Sequence, residues 1–286
     1  MGAACPGPRG RHKVVIVTDP FAQVAALPGV PEAVADARTS VDRLLGHRIL
    51  RRRSAEVSTE SALRAARASA ALEGVSVPLD ELRRGAAAQG EAAVPADPIV
   101  QGALRVSAEL GTLTDTWRRA PRQVLARLHV LAAADAVEAE ELGRPRLEGQ
   151  DAKDFLGLGE RPAPEEVAVR LDSLSTLLTQ QTKAPAIVVA AIVHGELLAL
   201  RPFGWGDGII ARAAERLTLV DRGLDPKSLT APEVGHAELG DEYVRTLRGY
   251  IGGTSEGVAA WIRHCAAAVT VAARDSLAIC EAYLRG

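Results

Sequence analysis

Apolar residues recur along this chain at helical spacing, in segments separated by polar or glycine-rich breaks. The densest segment, Ala186 to Leu200, is apolar nearly all round, which predicts a central helix buried on every face. After the break Arg201-Pro202-Phe203-Gly204-Trp205-Gly206-Asp207-Gly208 a second helix is predicted over 209–222. It carries apolar residues at 210, 213, 214, 217 and 220, with Gly223 at its end and Pro226 beyond. Val258, Ile262, Cys265, Val269, Ala272, Ser276, Ile279 and Tyr283 alternate steps of four and three, which predicts one long closing helix.

Upstream, helix patterns cover about 32–53 and Ser58 to Glu73, the latter with Gly74 placed to end it. Asp80 to Arg84 adds a turn or two, and 85–98 reads as a linker-like loop. From Ile99 the chain is helical again; Val124, Leu128 and Leu131 form a stripe on a helix expected to fade after Glu141. Gly143 to Pro164 holds seven glycines and prolines and is expected to be irregular chain or a hairpin, a loop length associated with function or disorder. Val167, Leu171, Leu174 and Leu178 restart a helix. Residues 1–12 read as a disordered tail and Val14 to Val17 as a short strand. With no convincing set of alternating strands, the expected fold class is all-α.

Composition narrows the picture. A chain of 286 residues suits one large domain, or one domain with an extension. Positive charge is almost all Arg, the bias of a GC-rich bacterial genome, and the net charge of -2 exerts no pull on nucleic acid or an anionic membrane. The run Arg51-Arg52-Arg53 reads as a solvated helix face. Cys5, Cys265 and Cys280 lack metal spacing and are odd in number, and Met1 to Lys13 lacks the apolar centre of a signal peptide; no metal is expected and the compartment is expected to be cytoplasmic.

The break between the two central helices carries the candidate chemistry. A glycine-rich loop running into a helix start presents backbone N–H groups and the positive end of the helix dipole, which suits phosphate. The plainer reading is that Asp207 caps the helix and the glycines permit a tight turn.

The stretch Ile187 to Gly223, with His194, Pro202, Phe203, Gly206, Gly208 and Arg212, resembles the core of Fic (Fido) domains, whose motif runs His-Pro-Phe-x-Asp/Glu-Gly-Asn-Gly-Arg-x-x-Arg. Leu125 to Leu131 resembles the helix before that family's flap, Gly143 to Pro164 the flap, Pro162 to Leu178 the next helix, and Ala260-Trp261-Ile262 the start of the closing helix. Ser69, Glu73 and Gly74 fit its inhibitory pattern Ser/Thr-x-x-x-Glu-Gly/Asn. The resemblance implies a Fic-like helical bundle over 58–284, around helices 186–200 and 209–222, with the inhibitory-type helix at 58–74 and residues 1–57 as a tail and extension.

In that family the motif histidine is the base for a target hydroxyl, the acid holds magnesium, the glycines and Asn shape an anion hole, and the arginines hold phosphates. Carried over position by position, the base is Arg201, which cannot accept a proton. The metal ligand is Trp205, with no oxygen; the Asn is Asp207; the first Arg is Ile209; and Arg212 alone survives among the charged groups. Loss of a base typically costs ~10²–10⁴ in rate, and loss of the metal adds further kcal/mol. The motif therefore predicts a disabled transferase site, a pseudoenzyme that acts by binding an unidentified protein or, second, a nucleotide held by Gly206, Gly208 and Arg212, with no cofactor.

The alternative is a divergent nucleotidyl- or phosphotransferase that uses ATP and Mg²⁺, restrained by Glu73 and with Asp207 or His236 as base; a third reading is a subunit that forms a homo-oligomer through its C-terminal helix. The resemblance implies that Glu73 reaches Arg212, and with the base gone that pair is expected to be a scaffold bond. His194 and His129 are expected to be structural, and His236 to lie in the loop after the second central helix. Trp205 is expected either to fill the vacated nucleotide pocket or to stand exposed as a partner anchor.

Overall fold

The computed structural model describes residues 19–87, 97–150 and 153–285; the expected tail, the Val14 to Val17 strand and most of the 85–98 linker lie outside them. Among the described residues there are twelve helices and no strand. They are α1 (Pro20–Ala25), α2 (Val30–Leu45), α3 (Leu50–Leu72), α4 (Leu79–Ala87), α5 (Pro98–Arg119), α6 (Pro121–Ala133), α7 (Pro164–Thr179), α8 (Ala186–Leu200), α9 (Asp207–Asp221), α10 (Pro232–Glu238), α11 (Asp241–Ile251) and α12 (Ser255–Arg285). No helix among the described residues is long and apolar enough to cross a membrane.

α8 is the buried axis the pattern predicts, and the rest of the bundle closes around it. Its Gly195 has no room for a Cβ, which would lie 2.7 Å from the Trp261 indole nitrogen and 3.0 Å from the Tyr250 ring. Glycine there lets the aromatics of α11 and α12 press onto the α8 backbone, where Trp261 Nε1 donates to the Ala191 carbonyl at 2.7 Å. α5 and α6, joined at Ala120-Pro121, approach equally closely: a Cβ at Gly102 would stand 2.2 Å from the Ala132 carbonyl oxygen. Because the obstacle is backbone, Gly102→Ala is expected to destabilise the chain by about 1–3 kcal/mol, read as a lower midpoint in thermal melting.

Several boundaries differ from the sequence pattern. The single helix expected over 32–53 is two, parted after Leu45 at Gly46, and α3 begins at Leu50 with a non-helical Arg53 marking a kink. α3 therefore runs without a break through residues 57 and 58, and Phe21, Val30, Val34, Val41 and Leu44 of α1 and α2 belong to the same core as α8. α6 ends at Ala133 rather than near Glu141. Glu138, Glu140 and Glu141 that follow are exposed to solvent, and the Gly143 N–H folds back to donate to His129 Nδ1 at 2.9 Å.

α9 starts at Asp207, two residues before the expected start, and is buried all round rather than on one stripe, with Arg212, Glu215 and Arg216 inside. The long closing helix and the Gly74 helix end are as the pattern predicts: Gly74 takes φ +91° and the Val75 N–H donates to the Ala70 carbonyl at 3.0 Å.

Candidate functional site

The loop between α8 and α9 is fastened from three directions. Arg201, the residue that caps the C-terminus of α8, adopts a left-handed backbone (φ 43°, ψ 62°), a conformation uncommon for a side chain with a Cβ. What holds it is its own guanidinium, buried and donating to the carbonyls of Gly159 at 2.9 Å and Glu160 at 2.8 Å, with the Asp154 carboxylate 3.5 Å away. Asp154 in turn accepts from the N–H groups of Leu158 and Gly159, both at 2.9 Å. Arg146 crosses the same gap, giving one N–H to the Arg201 carbonyl at 3.1 Å and another to the Pro162 carbonyl. Backbone bonds from Arg146 N to Pro202 O and from Lys153 N to Gly204 O, each 2.8 Å, complete the stitching. The segment expected to be a flap is thus irregular chain sewn to the central loop.

Asp207 does not cap α9; Gly206, at φ 68°, holds that position. The Asp207 side chain reaches backwards instead, accepting from Phe203 N at 3.0 Å and Gly204 N at 2.8 Å, so it organises the loop that precedes it. Burial pushes its carboxyl up to about 7, with the Glu73 carboxylate adding to the rise against the pull of the two N–H bonds and Arg146.

Glu73 closes the helix start. A Cβ at Gly208 would lie 1.9 Å from Glu73 Oε1, so the carboxylate sits against the first turn of α9, where an anion would otherwise meet the dipole. The same oxygen accepts from Arg212 Nη2 at 2.6 Å. Arg212, with no exposed surface, also donates to Ser69 Oγ at 2.9 Å, the Ser69 carbonyl at 3.1 Å and Tyr243 Oη at 3.4 Å. The cavity left among Glu73, Lys153, Arg201, Asp207 and Gly208 measures about 20 Å³.

The remaining candidates lie elsewhere. Phe203 stacks on His129 at 4.4 Å between ring centroids, and these two residues with Trp205 line a separate cavity of about 720 Å³ beside Glu140, Arg144 and Leu147. Trp205 is 9% exposed, so it is not an exposed anchor, and it does not line the cavity at the α9 start. Ile209, at the first arginine position, is core.

His236 is on α10 rather than in a loop, and is buried. It belongs to a chain of polar groups that continues inward from Arg212: Tyr243 Oη to His194 Nε2 at 2.9 Å, Glu215 Oε2 within 2.7 Å of His194 Nδ1 and 2.8 Å of His236 Nε2, and His236 Nδ1 to His264 Nε2 at 3.0 Å. Sequence reasoning placed none of these together. The signal it passed over was charge set directly beside the apolar positions of α9, Glu215 and Arg216 between Ala214 and Leu217.

No family model matches the chain, and no curated protein matches it in sequence. Solved structures do. A Fic family protein from Desulfovibrio desulfuricans superposes with a TM-score of 0.69 at 19% identity, covering 86% of this chain and 74% of its own. A segment of Fic-1 from C. elegans gives 0.65 at 17% identity, covering 88% of this chain and 73% of its own. A Fic-domain-containing signaling protein from Bacteroides thetaiotaomicron gives 0.62 at 12% identity, over 87% of this chain and 98% of its own. The all-helical bundle around α8 and α9 is therefore a Fic domain fold.

Proposed function

We propose that this chain is a Fic-fold protein whose transferase site is disabled and which works by binding a protein partner. The observation that carries the reading is the commitment of Arg201: the residue at the base position cannot accept a proton and spends its guanidinium on the Gly159 and Glu160 carbonyls. The neighbouring positions agree. Trp205 is buried and offers Mg²⁺ no oxygen, and both Asp207 oxygens are taken by backbone N–H groups. A cavity of about 20 Å³ holds roughly one water, whereas ligand pockets usually span about 300–1,000 Å³. The stitched loop offers a partner exposed apolar side chains, Leu147 and Phe155, which are 68% and 41% exposed.

Incubation with labelled ATP, GTP, UTP or CDP-choline is expected to transfer nothing to the chain or to lysate proteins. Transfer that disappears in Arg212→Ala overturns the reading. The alternative, a divergent nucleotidyl- or phosphotransferase restrained by Glu73, requires that carboxylate to vacate the α9 start; it predicts that Glu73→Gly binds ATP more tightly than the wild type. Calorimetry showing no heat for either chain, with and without Mg²⁺, removes it.

A further inference from the structure

The buried polar groups that the closed helix start does not use converge on one point. His194 of α8, Glu215 of α9, His236 of α10 and Cys265 of α12 each place one ligand atom so that all four lie within 4.8 Å of one another. None of the four is more than 1% exposed. His194 Nδ1 and His236 Nε2 face the same carboxylate oxygen of Glu215, at 2.7 and 2.8 Å. The first of these contacts is close without being a hydrogen bond, and Nδ1 of His194 is left without any hydrogen-bond partner. The opposite ring nitrogens are occupied, His194 Nε2 by Tyr243 Oη at 2.9 Å and His236 Nδ1 by His264 Nε2 at 3.0 Å. Outer partners of this kind orient imidazoles that ligate a metal.

We propose that these four side chains hold a divalent transition metal, Zn²⁺ by preference, in a closed structural site that ties α8, α9, α10 and α12 together. Two imidazoles, one carboxylate and one thiolate form a borderline-soft, four-coordinate set, which suits Zn²⁺ and disfavours Mg²⁺ and Ca²⁺. Bonds of about 2.0–2.3 Å put tetrahedral ligands about 3.3–3.8 Å apart. The His–Glu pairs therefore open by about half an ångström and the widest pair closes by about one. On binding, the Cys265 S–H bond breaks, its proton leaves to solvent, and a metal–sulfur bond forms with no change of oxidation state. One thiolate and one carboxylate cancel the charge of the ion, so the buried centre is neutral. The imidazole protons then sit on His194 Nε2, facing Tyr243, and on His236 Nδ1, facing His264.

The test uses the full chain and the metals alone. Protein purified from zinc-supplemented cells is expected to carry about one Zn²⁺ per chain by elemental analysis. Chain refolded with Co²⁺ is expected to show the visible absorption of tetrahedral cobalt together with a thiolate-to-cobalt band. Cys265→Ser, the replacement of a sulfur by an oxygen, should remove that band and lower the zinc content at least tenfold. Less than a tenth of an equivalent of zinc in the native protein, with no cobalt absorption after refolding, overturns the proposal; so does a thiolate band that persists in Cys265→Ser. Should that variant fail to fold, the wild-type zinc content and cobalt spectrum decide. Neither readout depends on whether the chain transfers nucleotides.

Discussion

Replacing Arg212 by Met is expected to cost about 3–5 kcal/mol of stability, the largest effect of any single substitution at the α9 start. The guanidinium is fully buried, and its removal strands the Glu73 carboxylate, itself buried, beside the Asp207 side chain. Ser69 and Tyr243 lose a donor at the same time. A buried pair costs much to half-remove and little to replace whole, because desolvation of both ions offsets most of their attraction. The double variant Glu73→Leu with Arg212→Met should therefore lose less than the two single changes summed. Urea unfolding of the four chains in a double-mutant cycle gives the coupling. A single-variant loss below about 1 kcal/mol would show that Glu73–Arg212 does not fasten α3 to α9, and the alternative of a transferase restrained by Glu73 would regain its footing.

The second large effect is a pH dependence. Asp207 has its ordinary carboxyl value near 3.8 unfolded and about 7 folded, raised chiefly by burial. Between those values the folded chain holds a proton that the unfolded chain has released, so folding weakens as pH rises. The stability from this group is fully present below pH 4 and is lost as pH passes 7. It amounts to a few kcal/mol, on the order of 1.4 per tenfold change in the proton affinity. Asp207→Asn cannot titrate; it surrenders one of the two side-chain oxygens that accept from the Phe203 and Gly204 N–H groups, a constant offset. The stability of the wild type minus that of Asp207→Asn should fall between pH 4 and pH 8. A difference that stays level, or grows with pH, would mean that the carboxylate is ionised in the fold and stabilised by the Phe203 and Gly204 N–H groups.

Both effects involve residues the sequence had singled out, and they mark how far a sequence carries. Glu73, Ser69 and Arg212 were legible because they stand in a recurring pattern, and the solved Fic structures share the fold that the pattern implied. Arg201 was legible as the residue at the base position of the motif the chain resembles, yet nothing in its neighbours along the chain says that it closes on Gly159 and Glu160, 42 and 41 residues away. Asp207 read as a helix cap because acids before helices usually are; the structure turns it back onto its own loop, since Gly206 already fills the cap position. Glu215, His236 and His264 were invisible as a group. They lie on three different helices, α9, α10 and α12, and only helix packing brings them together.

By itself the sequence determined the helical class, the buried α8, the α12 stripe and the helix stop at Gly74, because those depend on spacing within a few turns of one helix. The tertiary structure decided which charges are neighbours. Arg212 meets Glu73 across 139 residues and His194 meets Tyr243 across 49, distances over which no local periodicity carries information. A buried charge must find its partner wherever packing provides one, and that choice belongs to the assembled bundle.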